Sequence, residues 1–436
     1  MKYEEYKDSG MSWIGQVPTQ WKRSRLKFLF SHSNAGVWGE EEKGDENDIA
    51  CFRVADFDYQ KGYLGFDKLT MRNITAKELE GRLLSQGSLL IEKSGGGDAT
   101  PVGRVVRFNY EDKATCSNFV HFVTVDESHN SDFLYYYFYA MYANKENLLY
   151  FNQTTGIQNL KVGEYLGQSI FIPTYEEQQA IASYLDKKCG KINGAIDVQK
   201  KKIDLLNELK QTIITNAVTK GLNPNTPMKD SGVEWIGQIP EHWELKKIKF
   251  LTSCNDDTLT ENTEDNTIIK YVEIADVSNV EGVKKYTEYA FKDAPSRARR
   301  ITKVNDVVIS TVRTYLKAVA KIHDEDLIVS TGFAVLRPKQ IDESFLEYAT
   351  LSEKFLGEIE SKSVGVSYPA INSVELSNIK IPVPSMLEQI EIAKLIKNKV
   401  SKIDSQISKA NRRIELLNEL KQSIITEAVT GKIKVN

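Results

Sequence analysis

The sequence predicts an α+β protein: two α/β domains, each followed by a long helix, related by pseudo-two-fold symmetry. Three observations predict this. First, the chain of 436 residues is written twice. DSGMSWIGQVPTQW (8–21) recurs as DSGVEWIGQIPEHW (230–243) with nine of fourteen positions identical. LLNELKQTIITNAVT (205–219) recurs as LLNELKQSIITEAVT (416–430) with thirteen of fifteen identical. Repeats at so long a period mark a tandem duplication. Second, 176–219 and 387–430 contain no proline and carry apolar residues at gaps of three and four. Third, short β-rich runs separated by Gly, Asn and Asp fill the diverged middle of each half.

The helical segments carry matching apolar patterns in both halves. Ile181/Ile392, Leu185/Ile396, Ile192/Ile403, Ile196/Ile407, Ile203/Ile414, Leu206/Leu417, Leu209/Leu420 and Ile213/Ile424 fall on one stripe, with a coiled-coil stutter near Ile192. At 1.5 Å per residue each helix is about 66 Å long, and so narrow a stripe needs a partner, for which its own repeat is the obvious choice. Gly190 and Gly194 stand where the second helix has Ser401 and Ser405, which leaves room for tight packing. In the middles, GSLLIEKS (87–94), VGRVVRF (102–108), FVHFVTV (119–125), NDVVISTV (305–312) and TGFAVLRP (331–338) read as strands, and 131–144 and 343–360 as helices. GLNPNTPMKDSG (221–232) has linker composition. The boundaries are therefore 1–172 for a first domain, 173–222 for a helix, 223–383 for a linker and second domain, and 384–436 for a second helix.

Catalytic chemistry is hard to place on this chain. Histidines 32, 121, 129, 242 and 323 have no metal-ligand spacing, the four cysteines form no CxxC, and neither GxSxG nor GxxxxGK[ST] occurs. Glu-x-Lys at 208–210 and 419–421 lies on the helices and reads as solvated pairs rather than a nuclease centre. No apolar run approaches the ~20 residues of a membrane helix, and the N-terminus lacks an apolar leader segment, so a cytoplasmic location is expected. A net charge of −3 argues against a generic nucleic-acid binder but leaves a local one open.

Local features keep that option alive. The loop Lys93, Ser94, Gly95, Gly96, Gly97, Asp98, with Arg104 beyond it, lets backbone N–H groups approach phosphate; a plain hairpin turn is the competing reading. WKRSRLK (21–27) and WELKKIK (243–249) are basic at matching places, and SRARR contributes Arg297, Arg299 and Arg300. Thr311, Arg313, Thr314, Tyr315 and Lys317 interleave hydroxyls, cations and a ring. Amides and hydroxyls recur at Gln153, Thr154, Thr155 and Gln158, and Val364, Gly365 and Tyr368 form one more loop of this kind. Loss of Arg313 is expected to relax discrimination if it contacts a guanine, and loss of Arg299 to weaken all sequences equally if it meets phosphate. The paired tryptophans Trp13/Trp21 and Trp235/Trp243 are read as core anchors in preference to a stacking platform, and the aromatic helix 133–142 likewise.

WIGQVPTQW and WIGQIPEHW, IPTYEEQQAIASYLD (172–186) and VPSMLEQIEIAKLI (383–396), and LLNELKQ closing each helix resemble type I restriction–modification specificity subunits. IEKSGGGDATPVGRVV and ISTVRTYLKAVA resemble the target recognition domains of that family. The resemblance implies two such domains, each reading half of a split DNA sequence, and two antiparallel coiled-coil helices that set the spacing; the diverged middles of the two halves predict that the half-sites differ and the target is asymmetric. It implies a non-catalytic subunit with two methyltransferase and two restriction/translocase partners. S-adenosylmethionine, ATP and Mg are then bound by those partners, and this chain has no cofactor of its own. The alternatives are an orphan recognition subunit and a self-sufficient DNA-modifying enzyme.

Overall fold

The structure is a computed structural model that describes residues 2–154 and 156–435. The chain forms two compact units, one of Met1–Lys200 with Asn411–Asn436, the other of Lys201–Ala410. Each long helix is thus shared between them. Among the described residues, no helix is long and apolar enough to cross a membrane.

In the first unit the hairpin Tyr6–Asp8/Gln16–Pro18 leads to Lys22–Arg25, which pairs with Ser169–Ile172 and brings the two ends of the domain together. Between these ends, β1 (Asp48–Phe52), β2 (Ser88–Glu92), β3 (Val105–Arg107), β4 (Ala114–Cys116) and β5 (Val120–Val125) carry the fold. β2 is buried at every position, Ser88 and Glu92 included, between β3 and β5 in a six-stranded sheet. β1 and β4 run parallel in a second, four-stranded sheet. Helix α1 (Ser131–Ala143) starts where the Asn130 side chain accepts from Phe133 N–H, and it buries Phe133, Tyr137 and Phe138 against the first sheet.

Helix α2 (Tyr175–Lys220) begins after Pro173 with Thr174 capping the Glu177 N–H and ends at Gly221, whose φ of 74° stops the helix without steric cost. Trp21 is fully buried beneath its first turn, and Glu177 accepts from the indole N–H at 3.3 Å. The second unit repeats this: Trp243 donates to Glu388 at 3.0 Å. The core-anchor reading of these two tryptophans therefore describes them correctly, while Trp13 and Trp235 lie half-buried, edge-on to Tyr137 and Phe355.

The second unit is built from β6 (Ile268–Val272), β7 (Val307–Ser310), β8 (Val319–Lys321), β9 (Leu327–Ser330) and β10 (Phe333–Pro338). β7 lies between β8 and β10, as β2 lies between β3 and β5, and β6 runs parallel to β9, as β1 does to β4. The single helix expected over 343–360 is two, α3 (Glu343–Leu351) and α4 (Glu353–Lys362). Ser352 takes an extended backbone and its hydroxyl accepts from Phe355 N–H, so it caps the second helix and breaks the first. Helix α5 (Met386–Val429) begins in this unit, and its residues from Asn411 on belong to the first. Lys210 of α2 pairs with Asp404 of α5 at 2.8 Å, and Ile214 shares a cavity wall with Val400, so the helices pack antiparallel.

Three expectations about these helices need correction. Leu209 and Leu420 are each 48% exposed; the inward positions past the stutter are Lys210 and Lys421, then Ile214 and Ile425. The stripe is thus one residue later than the periodicity suggested, about 100° around the helix. The Glu-x-Lys lysines are accordingly buried rather than solvated: Lys421 donates to the Gln60 carbonyl at 2.8 Å and to Asn193 at 3.0 Å, and burial lowers its pKa. Finally, a Cβ at Gly190 or Gly194 meets nothing within 4 Å, so neither glycine marks a tight contact.

Candidate nucleic-acid interface

The structure gathers the predicted loops into one cluster per unit. In the first, Ser94–Gly95 pairs with Ile157–Leu160, which joins the glycine loop to the hairpin carrying Gln153 and Gln158. The loop is a closed turn: Gly97 N–H donates to Thr100 O and Thr100 N–H returns the bond, both at 3.1 Å. Gly96 has φ 62°, and a Cβ there would lie 2.9 Å from Val102 N, so glycine is required. Lys93 is half-buried and Asp98 exposed. Ser94 donates to Asn159 at 2.7 Å. Gln158 is buried with its oxygen accepting from Val102 N–H. Arg104 pairs with the buried Glu92 at 2.9 Å and lies 3.7 Å over the Tyr59 ring. Gln153 is exposed, Thr154 ends its strand, and Thr155 lies outside the described residues.

In the second unit, the 311–317 segment sits against 363–370. Thr314 donates to Ser363 at 2.9 Å, and Val312 and Val364 both bridge to Ala370. Arg313 and Lys317 flank a short 3-10 turn with φ of 52° and 49°, strained for residues with side chains. The Arg313 guanidinium lies 4.9 Å over the ring of Tyr368, which is 64% exposed. Thr311 is buried and donates to Gly332 O, Tyr315 points to solvent, and Lys317 pairs with Glu360 at 3.6 Å. Val364 is exposed, and Gly365 has φ 115°. Arg299 turns over Phe291 at 4.8 Å and Arg300 is half-buried in its strand, which leaves Arg297 as the exposed arginine of SRARR.

Each cluster borders a cleft that the sequence reading did not identify. In the first unit a cavity of about 470 Å³ is lined by Trp38, Arg53, Ser94, Ser117, Asn118 and Phe119, among others. In the second, one of about 600 Å³ is lined by Tyr271, Glu273, Arg297, Arg313, Ser330 and Tyr368, among others. The signal was present in FRVADFD (52–58) and VEIADVS (272–278), whose shared Ala-Asp marks the same turn after β1 and β6. Among the described residues, no group of His, Cys, Asp and Glu is placed to hold a metal ion.

Comparison with known proteins gives this geometry a family. Residues 18–213 and 240–417 match the type I restriction modification DNA specificity domain. The type I restriction enzyme MjaVIII specificity subunit of Methanocaldococcus jannaschii is 28% identical over 313 residues, covering 69% of this chain and 70% of that protein. The EcoKI specificity subunit of Escherichia coli is 24% identical over 207 residues, covering 45% and 44% respectively. A chain from a solved type I R-M system shares the fold with a TM-score of 0.68 at 15% identity, covering 96% of this chain and 99% of its own. With both halves matched, the chain belongs to the type I restriction modification DNA specificity family and is a non-catalytic DNA specificity subunit.

Proposed function

We propose that each domain reads one half of a split, asymmetric double-stranded DNA target. The complex then holds two methyltransferase and two restriction/translocase subunits, which carry the S-adenosylmethionine, ATP and Mg and perform adenine methylation or cleavage. The observation that carries this reading is one scaffold built twice with different loops: the central strand arrangement, the buried tryptophan and the helix starts repeat, whereas 93–98 and 311–317 share no pattern. Repeated scaffolding supports two half-sites, and diverged loops support two different sequences.

The DNA-facing set is the two loop clusters. Arg313, stacked on Tyr368, has a guanidinium suited to guanine O6 and N7, and its removal costs about 1–3 kcal/mol of discrimination. Arg297, exposed, suits phosphate, so Arg297→Ala weakens binding to all sequences alike. The experiment is to supply the chain with a methyltransferase partner and map modified adenines over a genome. A bipartite motif is the expected result, with no cutting or methylation by the chain alone. Turnover by the chain alone, or modification without a bipartite motif, removes the proposal.

A further inference from the structure

We propose that the two clefts are one base-reading site present twice, and that Arg53 and Glu273 make its two copies read different bases. This rests on the split-target reading above. Three separate pieces of chain build each cleft in the same way. The turn after β1 supplies Arg53 and the turn after β6 supplies Glu273; Asp56 and Asp276 close these turns by accepting the backbone N–H of those residues at 2.7 and 3.3 Å. Ser117 follows β4 and Ser330 ends β9, the parallel neighbours of β1 and β6. The third piece is Ser94–Gly95 in one cleft and Val312–Arg313 in the other. In both, the preceding carbonyl, of Lys93 or Thr311, accepts the equivalent N–H, of Leu160 or Ile371.

On this common scaffold the charges differ, with Glu92 also lining the first cleft and Arg297 the second. The turn position is a cation in the first cleft and a carboxylate in the second, and the third piece carries Gly95 in the first and Arg313 in the second. A guanidinium reads guanine through O6 and N7, and a carboxylate accepts from the cytosine amino group. Arg53 is prepared for this: Nη2 and Nε hydrogen-bond to the Asp56 carboxylate at 3.0 and 3.4 Å, which fixes the plane of the fork while its Nη1 hydrogens remain for a base. The ion pair is not needed to form the turn. Glu273 makes the same turn with, among the described residues, no ion pair of its own. Phe119, which lines the cleft with Arg53, and Tyr368 beside Arg313 are 48% and 64% exposed, apolar faces suited to a thymine methyl or a base plane.

The test is the methylation map of the complex carrying Arg53→Gln, Arg53→Lys or Glu273→Gln. Each Arg53 variant is expected to relax one base pair in one half-site by about tenfold to a hundredfold. Glu273→Gln is expected to relax one base pair in the other half-site. The untouched half-site reports that each variant is folded. An unchanged motif overturns the inference while leaving the split-target reading intact. Methylation weakened uniformly or abolished in both Arg53 variants also overturns it, because the residue would then be a phosphate or structural contact. A wild-type complex without a bipartite motif rejects the underlying reading, and the inference with it.

Discussion

Arg107 shows how a charge can be a core residue. It ends β3 almost wholly buried, with Nη1 at 2.8 Å from Asp132 and 3.0 Å from Asp186, and its guanidinium lies 4.0 Å and 4.5 Å from the rings of Tyr63 and Tyr135. The corresponding end of β8 is Lys321, which donates to Ser344 at 3.0 Å beside Glu347. Arg107→Met removes a cation that two half-exposed carboxylates share, so the expected loss is at the low end for a broken buried pair, about 3 kcal/mol by urea titration. A loss below about 1 kcal/mol contradicts this. His121 gives a pH dependence. Burial lowers its pKa from 6.5 to about 4, with Lys93 and His32 adding to the effect. The folded chain therefore resists its protonation while the unfolded chain does not. Stability is complete above pH 6.5 and falls as the pH drops toward 4, and His121→Gln flattens that fall. Urea midpoints at pH 7 and pH 5 measure it. Arg107 was not legible in the sequence, because a charged residue at a strand end reads as solvent-facing until its partners, 25 and 79 residues away, are known.

At the level of elements, legibility followed how local the determinants are. The helix ends were plain because Pro173 and Pro384 precede them and Gly221 and Gly431 follow them. The break at Ser352 was missed, since a serine is tolerated inside a helix and its capping role depends on an extended backbone that the sequence does not display. The stripe was placed one residue early beyond the stutter because buried lysines do not register as core. Gly190 and Gly194, exposed on α2 with open space around them, weaken the helix for no packing return. Gly190→Ala and Gly194→Ala are each expected to add about 1 kcal/mol, measured by thermal or urea unfolding. A destabilisation would mean that a close neighbour occupies that face. The candidate site was half legible: loops rich in glycine, hydroxyls and arginine stood out, while the clefts beside them, made by residues scattered from 38 to 119 and from 271 to 368, did not.

For the molecule as a whole, duplication followed by divergence is the organising fact. Anchors that hold each domain to its helix stayed alike, down to Glu177 and Glu388 accepting from the indoles of Trp21 and Trp243. Loops and cleft charges did not. The most direct measurement is the methylation map of a chimera in which residues 244–383 are replaced by the corresponding segment of a relative with a different motif. One half of the bipartite motif should change to the donor's and the other half should persist. If both halves change, or neither does, the two domains do not read independently, and the reading of this chain as two half-site readers on a common scaffold is wrong.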